Sequence, residues 1–319
     1  MNKPSYFPYE GSGETLPYHR LSAFLYKEGG LLVHKLKRLK MHLFDIETSY
    51  GKFILKRHLS LHKVNLQWEL FESLPSSTGI VPFEHFPNGR TYLTRYNDGW
   101  TISRWMPGSV LTYTRRDDAM LAREAIRKFH SVSNGLILPS SKWRPPLCML
   151  WKNRFERFLT SEQLFRKHGK KDVFQSIYTY SAASLKRFSV LDWASIHHRS
   201  RTKWNHGDVA AHNFLTNKDE VWMLDFDLLH EGPHVYDWIQ FGQRQLPYCT
   251  DVTELASLMG EWWTDAIWQR GMVFPADILR EFNRGLGEHG IDEIAKLKHL
   301  EFQWKRRLEF VDSFTNMVR

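Results

Sequence analysis

With 319 residues, 42% of them hydrophobic and 13 Trp, 21 Phe and 12 Tyr in the total, the chain can bury a sizeable core as one large domain or two lobes. Cys148 and Cys249 lie too far apart for a disulfide framework or zinc spacing. No apolar run reaches bilayer length, and the opening Met1-Asn2-Lys3-Pro4-Ser5-Tyr6 has no signal-peptide core, so a cytoplasmic protein with reduced thiols and no membrane partner is expected. The net charge of +9 is central, with 20 basic and 12 acidic residues over 111–230 against 10 and 14 over 231–319. Such a surface attracts nucleotides and phosphorylated metabolites, but no basic run is interleaved with aromatics, so no specific nucleic-acid site is expected.

In chain order, residues 1–20 read as an irregular lead-in. Gly11-Ser12-Gly13 has the look of part of a phosphate loop, but no clear strand precedes it. Residues 31–57 read as strands, with a turn at Ser49-Tyr50-Gly51-Lys52 and a returning strand Phe53-Ile54-Leu55-Lys56. Lys56 ends that strand and suits a nucleotide's α and β phosphates. A helix follows, with Leu61, Val64, Trp68 and Phe71 on one face. Glu69 and Glu72 flank that face, and Glu72 is the preferred partner for the Lys56 ammonium, with Glu69 as the alternative. Pro75 to Gly79 ends the helix.

A hairpin then joins Arg90–Tyr96 to Trp100–Trp105 through a turn at Asn97-Asp98-Gly99. Met106-Pro107-Gly108 stops it. The rest reads as helices: Ala119–His130 behind the acids Asp117-Asp118, then 150–167, 172–188, 252–270, 276–286 and 291–315. Within 252–270, Leu255, Leu258, Met259, Trp262 and Trp263 are expected to be buried. The fold class is therefore α+β: an antiparallel sheet with one helix, then a mainly helical second lobe.

The chemistry concentrates in Asn205-His206-Gly207-Asp208-Val209-Ala210-Ala211-His212-Asn213 and Leu224-Asp225-Phe226-Asp227. Asp-x-x-x-x-Asn can put a carboxylate and an amide on one cleft. A short hairpin (Asn213–Leu215, a polar turn, Val221–Leu224) returns a second carboxylate toward the same place. One carboxylate can take a proton from an attacking hydroxyl, while the amide and the other carboxylate hold Mg²⁺ against a nucleotide's phosphates.

These residues, with Gly232-Pro233-His234-Val235-Tyr236-Asp237, resemble the aminoglycoside phosphotransferase/choline kinase-like superfamily. Within it the chain looks most like the spore-coat-associated kinase-like proteins of spore-forming bacteria. The resemblance covers most of the chain and is specific in 205–238. It implies a bilobal protein-kinase-like fold with residues 90–105 as the interlobe hinge, a boundary near 105–110, and lobes at 1–107 and 108–319. It implies Asp208 as catalytic base, Asn213 and Asp225 as metal ligands, His206 as a loop-orienting residue and Asp237 as a buried anchor. It also implies ATP and Mg²⁺ as cofactors, a small hydroxyl compound as acceptor, and spore-coat proteins as partners with the coat as a further location. Gly207 stands where protein kinases often carry Arg, which favours a small-molecule kinase.

His230-Glu231-Gly232-Pro233-His234 spells a zinc-protease string, but Pro233 forbids the continuous helix that such a site needs. His197-His198 reads as a surface pair. No P-loop string and no nucleophile elbow is present. Glu231, Asp237, Glu254, Glu261 and Asp265 beside several Trp residues suggest an acceptor bearing an amine, unless they are ordinary surface and core residues.

Overall fold

The computed structural model describes residues 18–142, 144–217, 220–286 and 292–317; the Gly11-Ser12-Gly13 trio lies outside them. The chain divides into two units, one running to Val64 and including Pro82–Met106, the other combining Asn65–Val81 with the residues from Pro107 onward.

In the first unit α1 (Tyr18–Gly29) leads into β1 (Val33–Lys40), β2 (Leu43–Thr48) and β3 (Gly51–His58). Then come α2 (Leu61–Ser73), within which the unit boundary falls, β4 (Phe83–Glu84), β5 (Leu93–Arg95) and β6 (Asp98–Arg104). The sheet order is β1-β2-β3-β6-β4, with β5 also on β6, and every pairing is antiparallel. Strand alternation decides its faces. Phe44, Ile46, Phe53, Leu55, Trp100 and Ile102 form one buried cluster with Leu21 and Leu25 of α1. Lys56 points the other way, with Ile54 and His58, opposite Leu43 and Thr101 in register.

Helix α1 was not expected from the sequence; it buries Leu21 and Leu25, with Phe24 partly buried against the same cluster. Its end shows why Gly29 is there: a Cβ would stand 2.7 Å from the Phe86 ring. The 90–105 hairpin is also corrected by one residue. Arg95 pairs with Asp98, so Tyr96 and Asn97 form the two-residue turn, both with positive φ (51° and 64°). Asp98-Gly99 belongs to β6 instead. There the Asp98 carboxylate accepts from Arg57 at 2.5–2.7 Å, and Gly99 leaves room for Leu61 and Val64.

The second unit runs β7 (Ser109–Val110), α3 (Arg116–Ser133), α4 (Leu147–Leu159), α5 (Glu162–Lys167), α6 (Lys171–Ser189) and α7 (Trp193–His198). After β8 (Trp204–Asn205) come β9 (Phe214–Asn217), β10 (Glu220–Met223) and β11 (His230–Glu231). The helices α8 (Val235–Gln245), α9 (Val252–Met259), α10 (Ala266–Val273), α11 (Ala276–Gly285) and α12 (Glu293–Met317) complete it. β10-β9-β7 and β11-β8 are small antiparallel sheets.

Two expected helices are each split in the structure. Residues 150–167 break at Thr160-Ser161, where the Ser161 hydroxyl donates to the Phe158 carbonyl at 2.6 Å. Residues 252–270 break at Gly260, in the left-handed region at φ 58°, and restart where Asp265 caps α10 by accepting from the Ile267 and Trp268 amides. The break leaves Trp262 and Trp263 half-buried, and Trp268 becomes the core indole of this stretch. Flat aromatic faces fill the helical core: Trp151 stacks on Phe188 and Phe274 at 4.5 and 4.8 Å between centroids.

Candidate active site

Helix α8 braces the loop at 206–209. Asp237, in its first turn and 1% exposed, accepts the His206 amide at 2.7 Å and the Gly207 amide at 2.9 Å. His130 of α3 donates to the same carboxylate at 3.0 Å. Burial alone would raise the Asp237 carboxyl, but the His130 hydrogen bond and charge hold it down at about 2. Three residues on, Gln240 clamps the loop from both sides: its Oε1 accepts the Val209 amide at 2.6 Å and its Nε2 donates to the Gly207 carbonyl at 3.0 Å. Four residues further, Arg244 donates to Asp208 Oδ1 at 2.5 Å.

The steps of three and four put Asp237, Gln240 and Arg244 on one helix face. Gln240 and Arg244 were missed in the sequence; that spacing, counted forward from Asp237, is the signal that could have found them. Tyr113, whose phenol is kept protonated by burial, donates to the Val209 carbonyl at 2.8 Å.

The loop's shape explains Gly207. Its φ is +81°, and a Cβ there would stand 2.3 Å from the Leu228 carbonyl oxygen. His206 is fully buried. Its Nδ1 accepts the Asp208 amide at 3.2 Å, which makes Nε2 the donor to the Leu224 carbonyl at 2.9 Å. Phe226 packs on the His206 ring at 4.5 Å and meets Phe71 and Phe129 edge-on at 5.4 Å.

Asn213 is 4% exposed and ends the single 3₁₀ turn Ala211–Asn213 rather than starting a strand. Its Nδ2 donates to the Asp208 carbonyl at 2.9 Å. The β9-β10 hairpin follows in register, and the Leu224 amide donates back to the Asn213 carbonyl at 2.8 Å, which puts Asp225 beside Asn213. Asp225 is exposed, with φ 62°. A non-glycine residue in that region costs roughly 1–2 kcal/mol.

The second unit thus brings Asp208, Asn213, Asp225, His206 and Asp237 together. Among the described residues no three His, Cys, Asp or Glu side chains converge as a metal cluster. Asn213 and Asp225 supply two oxygen donors, and with the Asn213 amide nitrogen committed to a carbonyl, its Oδ1 is the atom free for a cation. An oxygen-only, partly open set fits Mg²⁺. Lys56 sits half-buried on β3 in the first unit. Glu72 is exposed on α2, while Glu69 accepts the Ser140 amide and hydroxyl at 2.8 and 2.5 Å.

The zinc-like string is not one helix: His230 and Glu231 form β11, and His234 precedes α8. Of the expected surface pair, His198 is exposed, while His197 is half-buried and bonded to the Tyr236 hydroxyl at 2.8 Å. Four of the five acids expected around an amine are engaged elsewhere, and Glu261 is exposed. Asp237 anchors the loop, Asp265 caps α10, Glu254 binds Thr250 and Arg116, and Glu231 binds Ser141 and Thr202. A cavity of about 390 Å³ does open beside the loop, lined by Tyr113, Ala211, Arg244, Asp277, Arg280 and Glu281 among others.

No protein-family model and no curated protein matches the sequence. Solved structures do match. An aminoglycoside phosphotransferase from Alicyclobacillus acidocaldarius aligns over 97% of this chain and 98% of its own, at 15% identity and a TM-score of 0.71. The fold is that of the aminoglycoside phosphotransferases. A spectinomycin phosphotransferase in complex with ADP and spectinomycin shares this fold over 94% of this chain and 95% of its own, at 11% identity and a TM-score of 0.60. A choline/ethanolamine kinase family protein from Mesorhizobium loti shares it over 94% and 98%, at 14% identity and a TM-score of 0.58. The α+β, kinase-like class expected from the sequence is thereby established.

Proposed function

We propose that the protein is an ATP- and Mg²⁺-dependent phosphotransferase that moves a γ-phosphoryl group to a hydroxyl of a small molecule. The observation that carries this reading is the braced loop: Asp208 bound to Arg244 of the cavity wall, with Asn213 hydrogen-bonded to the Asp208 carbonyl and Asp225 brought beside Asn213. Similarity to a phosphotransferase whose structure holds ADP and spectinomycin supports it.

Asp208 accepts a hydrogen bond from the acceptor hydroxyl, aims it at the γ-phosphorus and takes its proton as the new oxygen–phosphorus bond forms and the β–γ bridging bond breaks. Arg244 occupies Oδ1, which leaves Oδ2 for the hydroxyl. Asn213 and Asp225 would hold Mg²⁺, which when bound would supply positive charge against the phosphate oxygens. Lys56 keeps the α and β phosphates as its assignment, with Glu72 as its partner. His206 and Asp237 hold the loop so that catalysis needs no rearrangement of buried backbone.

ATP consumption over a panel of hydroxyl compounds tests the reading. Asp208→Asn is expected to lower turnover about 10²-fold or more, the range for a lost acid–base group; equal turnover in the variant removes Asp208 as base. A second reading, a kinase-fold protein without catalysis that serves a structural or nucleotide-sensing role in a spore coat, is favoured by the Arg244–Asp208 ion pair, which already occupies the base. It predicts no ATP turnover with any acceptor.

A further inference from the structure

The cavity beside Asp208 has a charge pattern that names its ligand. Asp277 at its wall is already bound to Arg307, whose side chain is almost fully buried. Glu281 is shared between Arg280 at 3.2 Å and Arg284 at 2.6 Å. Asp208 is bound to Arg244. A further guanidinium, Arg154, is spent on the Ala276 carbonyl at 2.8 Å, with no carboxylate of its own.

Two guanidiniums, Arg244 and Arg280, line the cavity, and with Arg154 and Arg307 bound behind its wall four partly or wholly buried guanidiniums share three carboxylates, while Arg284 is mostly exposed on Glu281. Burial lowers both the Arg154 and Arg244 values, and the nearby Arg280 charge lowers them further. Arg244 Nε is also buried with no hydrogen-bond partner. A surplus of buried positive charge and an orphaned guanidinium donor are costly unless an anion meets them. Guanidinium forks suit carboxylate and phosphate oxygens.

We infer that the acceptor is a small hydroxy compound that carries an anionic group, a carboxylate or a phosphate monoester, bound by Arg280 and Arg244 beside Asp208. This rests on the phosphotransferase reading above and replaces the amine-bearing acceptor expected from the sequence. A cavity of about 390 Å³ suits a ligand of monosaccharide scale. An ammonium-bearing acceptor would meet the same guanidiniums and find every wall carboxylate already paired.

Binding without nucleotide, followed by calorimetry at low salt, tests this on the full chain. The anionic probes are D-glycerate, glycerol 3-phosphate and glucose 6-phosphate, which separate carboxylate from phosphate. The cationic probes are ethanolamine, choline and glucosamine. At least one anionic probe is expected to bind at millimolar concentration or below, and no cationic probe is. Arg280→Gln is expected to weaken that binding at least about tenfold, the effect of one lost charge-assisted hydrogen bond. Arg280→Lys should recover part of it.

Binding by cationic probes alone, no anionic binding at millimolar concentration, or anion binding unchanged in Arg280→Gln overturns the inference. Thermal stabilisation by Mg·ATP is read separately in the same variant. Retention of that shift shows that Arg280→Gln is folded, and it lets the pocket assignment fail while the nucleotide site stands.

Discussion

Arg244 gives the candidate base its character. A guanidinium at 2.5 Å holds one oxygen of Asp208 and fixes the plane of its carboxylate, so the free oxygen has one direction in which to meet a hydroxyl. Asp237 plays a different part, since it touches only backbone and His130. Replacing it by Ala strands two buried amides and a buried imidazole. The expected loss is about 3–5 kcal/mol, the cost of breaking a buried charged pair, read as a lowered midpoint in urea unfolding. A midpoint within error of wild type would mean that the loop does not depend on this anchor. Asp208, Asn213 and Asp225 stood out in the sequence because their types and order match one chemistry. Gln240 and Arg244 did not, because a Gln and an Arg on a helix acquire meaning only when the helix faces the loop.

At the scale of elements, legibility followed the strength of local pattern. β3 and the β9-β10 hairpin were readable because apolar alternation and polar turns agree there. The 93–104 turn was misread because Asp-Gly is a strong turn signal, yet Asp98 is drawn into β6 by Arg57 and Gly99 by the packing of α2. Residues 252–270 looked like one helix because apolar periodicity passes over a single glycine, while the backbone reverses at Gly260. The lining of the cavity beside the loop was not legible residue by residue. Its walls come from residues 111–113, 210–212, 243–244, 247–248, 277–278, 280–281 and 303, which only the tertiary fold assembles.

For the whole molecule, two histidines contribute to the response to acid. Burial holds His230 and His234 at about 3, helped by the nearby charges of Arg144 and His130 respectively. Both folded values lie below the unfolded value of about 6.5. Their contribution is therefore intact above pH 6.5 and is lost as pH falls toward 3, because the unfolded chain takes up protons that the folded chain excludes. Each histidine adds a slope of up to about 1.4 kcal/mol per pH unit in that window. Urea unfolding at pH 7 and pH 5 should show the loss, and His234→Gln should flatten it. An equal slope in the variant would assign the acid response to other groups.

The central claim is that Asp225, beside Asn213, serves a metal-bound nucleotide. The measurement that tests it most directly is thermal unfolding of wild type and Asp225→Ala with and without Mg·ATP, since a ligand that binds only the folded chain raises its midpoint. The account predicts a metal-dependent rise in wild type that is absent in Asp225→Ala, with the two midpoints close when no ligand is present. No rise in wild type at millimolar Mg·ATP, or an undiminished rise in the variant, would contradict it.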